Sequence, residues 1–432
     1  MKKRILSIVL CLCMVLTLLP TAALAAGNAA DSGLPLGTSS VCPHHEHNAA
    51  CGYTEGTPCT FDPATCESCK AKGSNAQELP KENIAKVETI SEPAPLVAPA
   101  DTVTLNIKDG AIKIFSDRYQ ISDGSNWVTT EHTGSYVITG TEQGNNPGID
   151  YITVISLASD ATLTLKDLTI ESTKNQSALS LAGLPSVPEG EPSVPEVHIE
   201  GTVSLGGLAE AIKANGALNL TGSGSLALSV SNSNKQGQNA TAVISAASVA
   251  ATLDGDITVT ATANGGADIH AIHTTPGGVS LTSQNGAVSL TSSGTTAPLI
   301  MSAGAVTISG SGDVAVTNAT GGSAIIADSS AVSLTSEIGA VNVTGNGNGP
   351  AIQAGAVTIS GYGDISVEST GGPAIIAGGG EVSLTSESGW VKVTGKGNGP
   401  AIQASAVTIS GKTDVVVTST GGGSGISASG EV

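Results

Sequence analysis

The chain has 432 residues, enough for two or three ordinary domains, yet aromatics make up 2% of it, charged residues 12%, and glycine alone numbers 55. A compact globule needs large side chains to fill a wide core, so this composition excludes one and favours a narrow, repetitive core of small and β-branched residues. The formal charge of −19 repels phosphate backbones and anionic headgroups, which argues against nucleic acid as a partner.

The first 25 residues have the pattern of a secretory signal peptide. Lys2-Lys3-Arg4 is a basic start, Ile5 to Leu19 an apolar stretch too short to span a bilayer comfortably, and Ala23-Leu24-Ala25 a small-residue cleavage site. Cys11 and Cys13 lie inside the apolar stretch, without the small residues that precede a lipid-modified cysteine. The expected location is therefore secreted or cell-surface associated, with no transmembrane span. Cleavage removes three of the 17 basic residues and leaves 14 against 36 acidic, a formal −22.

Residues 26–69 form a Cys/His-rich segment. Cys42, Cys51, Cys59, Cys66 and Cys69 fall within 28 residues, with His44, His45 and His47 among them. Two chemistries fit. An oxidising exterior allows two disulfides with one thiol left over. Cys66-x-x-Cys69 with an upstream Cys or His allows tetrahedral zinc, although the spacing matches no standard finger. Residues 70–100, ending in EPAPLVAPAD, have no apolar periodicity and are expected to be a disordered linker.

Residues 101–160 hold Phe115, Tyr119, Trp127, Tyr136 and Tyr151, large residues suited to capping the end of a solenoid. From 161 to 432 the chain repeats itself. AVTISG begins at Ala305, Ala356 and Ala406, and VSLTSE at Val332 and Val382. The copies lie about 50 residues apart, and each splits into two similar halves of about 25. Every half carries three short alternating runs, such as Val306/Ile308, Val314/Val316 and Ala324-Ile325, separated by Gly310-Ser311-Gly312 and Thr320-Gly321-Gly322. Period-two alternation between Gly-rich breaks marks strands with one buried face. The fold class expected is all-β, a single-stranded parallel β-helix (β-solenoid) of about ten 25-residue coils with three short strands per coil.

The third run predicts a ladder along the axis: Ala178-Leu179, Ala211-Ile212, Ala242-Val243, Ala271-Ile272, Ile300-Met301, Ala324-Ile325, Ala351-Ile352, Ala374-Ile375, Ala401-Ile402 and Gly425-Ile426. The second member of each pair is expected inside, and Lys213, His273, Ser302, Gln353 and Gln403 outside. Residues 182–195, with four prolines, and Asn232 to Asn239 have the composition of loops inserted between coils. Glu431-Val432 corresponds to Glu381-Val382, so the sequence stops within a repeat, and a continuation with further coils or a surface anchor is expected.

The signal, the Cys/His segment, GSYVITGT at Gly134 to Thr141 and ATLTLKDLTI at Ala161 to Ile170 together resemble a known group. These are the secreted surface proteins of Gram-positive gut anaerobes whose β-helix carries a carbohydrate-binding-domain label. The resemblance implies a helix similar to that of polysaccharide lyases, with calcium and acidic glycans as ligands and no cleavage. It brings no ligand residue to a position of this sequence.

Candidate chemistry is sparse. Lyases use carboxylates around calcium with a Lys or Arg base, and hydrolases use paired carboxylates; past the signal the chain has one arginine, Arg118, and no adjacent acidic pair in the repeats. Asp313, Asp364 and Asp414 recur at one turn, two coils or roughly 9.6 Å apart, with Glu337 and Glu387 on the intervening coils. These five are the candidate calcium ligands, and solvated turn residues are the plainer alternative. Tyr362 and Trp390 are expected on the same turn of neighbouring coils beside Asp364, Lys412 and Asp414, an arrangement suited to stacking a sugar ring. GNGNGP at Gly345 to Pro350 precedes a strand instead of a helix and so is no phosphate loop. The function expected is a non-enzymatic glycan-binding or adhesion module whose partner is extracellular polysaccharide or cell-wall glycan. The rivals are a structural spacer and a polysaccharide lyase or hydrolase.

Overall fold

The computed structural model describes residues 101–122, 124–143, 151–158, 160–172, 176–181, 196–232, 241–264 and 268–432. The signal, the Cys/His segment, the linker, the proline-rich stretch at 182–195 and residues 233–240 lie outside the described residues.

Every strand from Glu196 onward belongs to a three-strand coil, nine coils in all, ending with Ile426–Ala428. In the coil that starts at Val306, the first strand is Val306–Gly310, the second Val314–Asn318 and the third Ile325–Ile326. Each strand pairs in parallel with its counterparts one coil before and one coil after. The first and second strands belong to a 21-stranded sheet, and the third strands to a 14-stranded one. The chain is thus a parallel β-solenoid, as the alternation predicted.

The core consists of in-register ladders of β-branched and Leu side chains. Val306, Val332, Val357 and Val382 stack on the first strands, and Val314, Val341, Ile365 and Val391 on the second. On the third strands Ile325, Ile352, Ile375 and Ile402 form the expected ladder, each fully buried. Burying each such side chain contributes roughly 1.5–3 kcal/mol, so a narrow core suffices because it is continuous.

Two rungs of the predicted ladder are shifted by one residue. Ile212 pairs with Ile244, so Ile244 takes the rung expected for Val243, although both are buried. Ile272 pairs with Ile300, which turns Met301 outward to 40% exposure and draws Ser302 inward to 1%. The runs Ala242-Val243-Ile244 and Leu299-Ile300-Met301 are apolar throughout, so alternation cannot set their phase. Parallel pairing sets it instead.

Residues 101–160 contribute coils of their own. Thr102–Asn106 pairs with Ser135–Gln143, and Ala111–Ile114 with Ile152–Val154, all in parallel. Arg118–Ser122 and Trp127–Glu131 extend the smaller sheet as an antiparallel pair. Tyr119, His132 and Tyr136 meet edge to face there, with ring centroids 5.0–6.4 Å apart. Tyr136 donates to the carbonyls of Phe115 and His132, and burial, ahead of the nearby Tyr119 and Asp117, pushes its phenol up to about 12. The strands Ser135–Gln143 and Leu163–Ser172 are long enough to span both the first-strand and the second-strand positions of the large sheet. Leu163–Lys166 pairs with Val197–Glu200, and Thr169–Ser172 with Ser204–Gly207. Asp167, at φ 45°, marks the corner between them.

Candidate functional site

The turn between first and second strands carries the predicted calcium and sugar residues, and its hydrogen bonds account for most of them. Asp256, Asp313 and Asp364 each accept, through Oδ1, the backbone N–H of the residue stacked on the next coil: Ala287, Ala340 and Trp390, at 2.8, 2.8 and 3.0 Å. On those next coils Ser283, Ser336 and Ser386 each donate back to Gly255, Gly312 and Gly363, at 2.7–2.8 Å. Each carboxylate also lies over a glycine. A Cβ on Gly339 or Gly389 would come within 2.3 or 2.2 Å of Oδ1 of Asp313 or Asp364. At this turn adjacent coils are therefore joined two by two, which matches a repeat of about 50 residues built from halves of about 25.

The second turn alternates in the opposite phase. Asn318, Gly345, Ser369, Gly395 and Ser419 stack in that order. Ser369 and Ser419 donate to the carbonyls of Gly349 and Gly399, and Asn318 to those of Ala297 and Ser323. A Cβ on Gly345 would meet the Cα of Ala351 at 2.8 Å.

Glu337 and Glu387 begin their turns, at the end away from the aspartates, and donate only backbone N–H groups, to Gly310 and Gly361. The structure does not gather Asp313, Glu337, Asp364, Glu387 and Asp414 into a cluster: among the described residues no three His, Cys, Asp or Glu side chains are grouped to hold a metal. Nor do Tyr362 and Trp390 share one platform. Val391 pairs with Ile365 and Val415, which stacks Trp390 between Asp364 and Asp414. Tyr362 instead aligns with Ser388, whose N–H and Oγ both bond its carbonyl. Tyr362 is 49% exposed and Trp390 half-buried, and the two rings make no contact with each other. Lys412 is exposed on the final turn.

A polar groove on the outer face of the smaller sheet has no compact signature in the sequence. Its floor is the column of outward residues Lys113, Thr153, Ser180 and Lys213, stacked by parallel pairing. Three strand spacings separate the lysines, roughly 14 Å. Tyr151, Gln176, Ser177 and Glu210 complete the lining around about 380 Å³ of space. The Glu210 side chain is 12% exposed, accepts from Ser177 Oγ at 3.3 Å and lies 3.9 Å from Lys213 Nζ. Lys113 Nζ sits 3.9 Å from the ring centre of Trp127. Burial raises the Tyr151 phenol, which stays a donor near neutral pH. The signal that reveals this groove is the register itself: Lys113, Thr153, Ser180 and Lys213 each sit between two buried residues of a third strand.

No protein-family model, no curated protein and no solved structure matches the chain. Among the described residues no helix is long and apolar enough to cross a membrane.

Proposed function

We propose that the chain is a non-enzymatic exported surface protein whose β-helix binds a linear glycan along the outer face of its smaller sheet. The supporting observation is the column Lys113–Thr153–Ser180–Lys213 with Tyr151 beside it. A phenol ring, hydroxyls and two lysines are the groups that hold a sugar's apolar face, its hydroxyls and its acidic substituents. In a chain with more than twice as many acidic as basic residues, two lysines in one groove favour an anionic polysaccharide. Among the described residues the groove is lined by a single carboxylate, Glu210, whereas glycoside hydrolysis takes two, and that carboxylate is engaged by Ser177 and Lys213. Fold alone does not decide function, so the assignment rests on this groove.

The spacer reading has its own support in the repeat coils, whose turn side chains serve the coil-to-coil contacts. A glycan array probed with the exported protein, with and without calcium, separates the two. Binding to anionic glycans is expected, lost in the Lys113→Glu/Lys213→Glu variant and retained in Tyr362→Ala/Trp390→Ala. Loss in the aromatic variant alone moves the site to the repeat turn. An array without hits for the wild type decides for the spacer.

A further inference from the structure

We propose that His270, His273 and Met301 form a solvent-facing site for a soft monovalent metal ion, Cu(I). His270 and His273 stand on the strand His270–Thr274, where Ala271 and Ile272 are both buried. That break in the alternation leaves both histidines on the outer side, their rings stacked with centroids 5.3 Å apart. The next coil supplies the third donor. His273 pairs with Met301, so the two residues sit on neighbouring strands, whose spacing is about 4.8 Å, and both lie on the outward face.

Two observations point to a metal rather than to packing. Met301 is 40% exposed, and it is the one methionine of the chain beyond residue 14. A thioether facing water gains nothing from burial and is a soft ligand. His270 Nδ1 lies 2.6 Å from the carbonyl oxygen of Pro298, a contact that requires Nδ1–H to donate and so leaves the Nε2 lone pair free. Fixing an imidazole through its far nitrogen is how metal-binding histidines are held. Two imidazoles and a thioether, with no carboxylate among them, select Cu(I) over harder dications.

The test uses the full chain, reduced and with its cysteines capped by N-ethylmaleimide so that the thiols of the N-terminal segment take no copper. Cu(I) is supplied under ascorbate and competed against bicinchoninate. In a His44→Gln/His45→Gln/His47→Gln background, which removes the N-terminal histidine cluster, one equivalent is expected to bind, and Met301→Leu, a volume-conserving exposed change, should weaken it by at least about tenfold, as should His270→Gln and His273→Gln. Zn(II), which does not favour thioether sulfur, should bind the wild type and Met301→Leu within about twofold of each other. The proposal is overturned if the capped chain takes up no Cu(I), or if Met301→Leu leaves its affinity unchanged. An equal loss for Zn(II) in Met301→Leu would make the effect structural and remove the thioether as a ligand.

Discussion

The early coils and the repeat coils are built on the same ladders but use their outward side chains differently. Along the central outward column of the smaller sheet the early coils present Lys113, Thr153, Ser180, Lys213, Ser245 and His273. The later coils present Met301, Ile326, Gln353, Ile376 and Gln403. At their turns the later coils commit serine, aspartate and asparagine to the neighbouring coil, over glycines with no room for a side chain. Regularity thus consumes the polar groups that a binding surface needs. Where the alternation breaks, as on the strand of His270, side chains are released toward solvent.

The largest expected effect separates core from face within one repeat strand. Ile352→Asp leaves an unpaired charge in the ladder and should cost about 3–5 kcal/mol, read as a lower urea midpoint. Gln353→Asp, one residue on and pointing out, should stay within about 0.5 kcal/mol. Comparable losses in both would mean that the strand faces are not distinct.

A smaller effect tests whether the alternating glycines are needed for space. Gly345→Ala pushes a methyl against the Ala351 backbone and should cost about 1–3 kcal/mol. At Gly378 the nearest atom to a new Cβ is the Ala354 carbonyl oxygen at 3.7 Å, so Gly378→Ala should be neutral or stabilise by about 0.4–1 kcal/mol. Equal behaviour at the two sites in chemical denaturation would refute the packing argument.

The smallest effect probes the irregular region by pH. The folded pKa of His270 is lowered, chiefly by burial, so the unfolded chain binds its proton more readily. The stability this contributes is present above the ordinary histidine value of about 6.5 and is lost as pH falls through the depressed folded value. Thermal melts between pH 7.5 and 5 should slope downward toward acid, and His270→Gln should flatten that slope. The two proteins differ only at residue 270, so the difference between the two curves carries the result.

The solenoid, its three strands per coil and the Ile ladder are legible in the sequence because period-two alternation between glycine breaks is the pattern of short strands with one buried face. The phase at Val243 and Met301 is not, since neighbouring apolar residues hide which one faces in. By its spacing Met301 reads as a core residue, so its place beside His273 emerges only from the pairing. The groove is hidden for another reason: Lys113 and Lys213 are a hundred residues apart, and only pairing through Thr153 and Ser180 aligns them. The aspartates are visible as a recurring position, but their role as acceptors for the next coil depends on stacking that no single repeat contains.

The opposed alternation of the two turns gives the rod a parity. Gly310, Ser336, Gly361 and Ser386 follow one another at the first turn, while Gly345, Ser369 and Gly395 do so at the second. Excising one coil, residues 356–380, would set Ser336 against Ser386 and Gly345 against Gly395, crowding one corner and hollowing the other, and would strip Trp390 of its acceptor Asp364. Excising two coils, 356–405, would return Ser336 to a glycine, Gly411, and Gly345 to a serine, Ser419. A rod of this design lengthens or shortens in even steps, so its natural unit of growth is the coil pair.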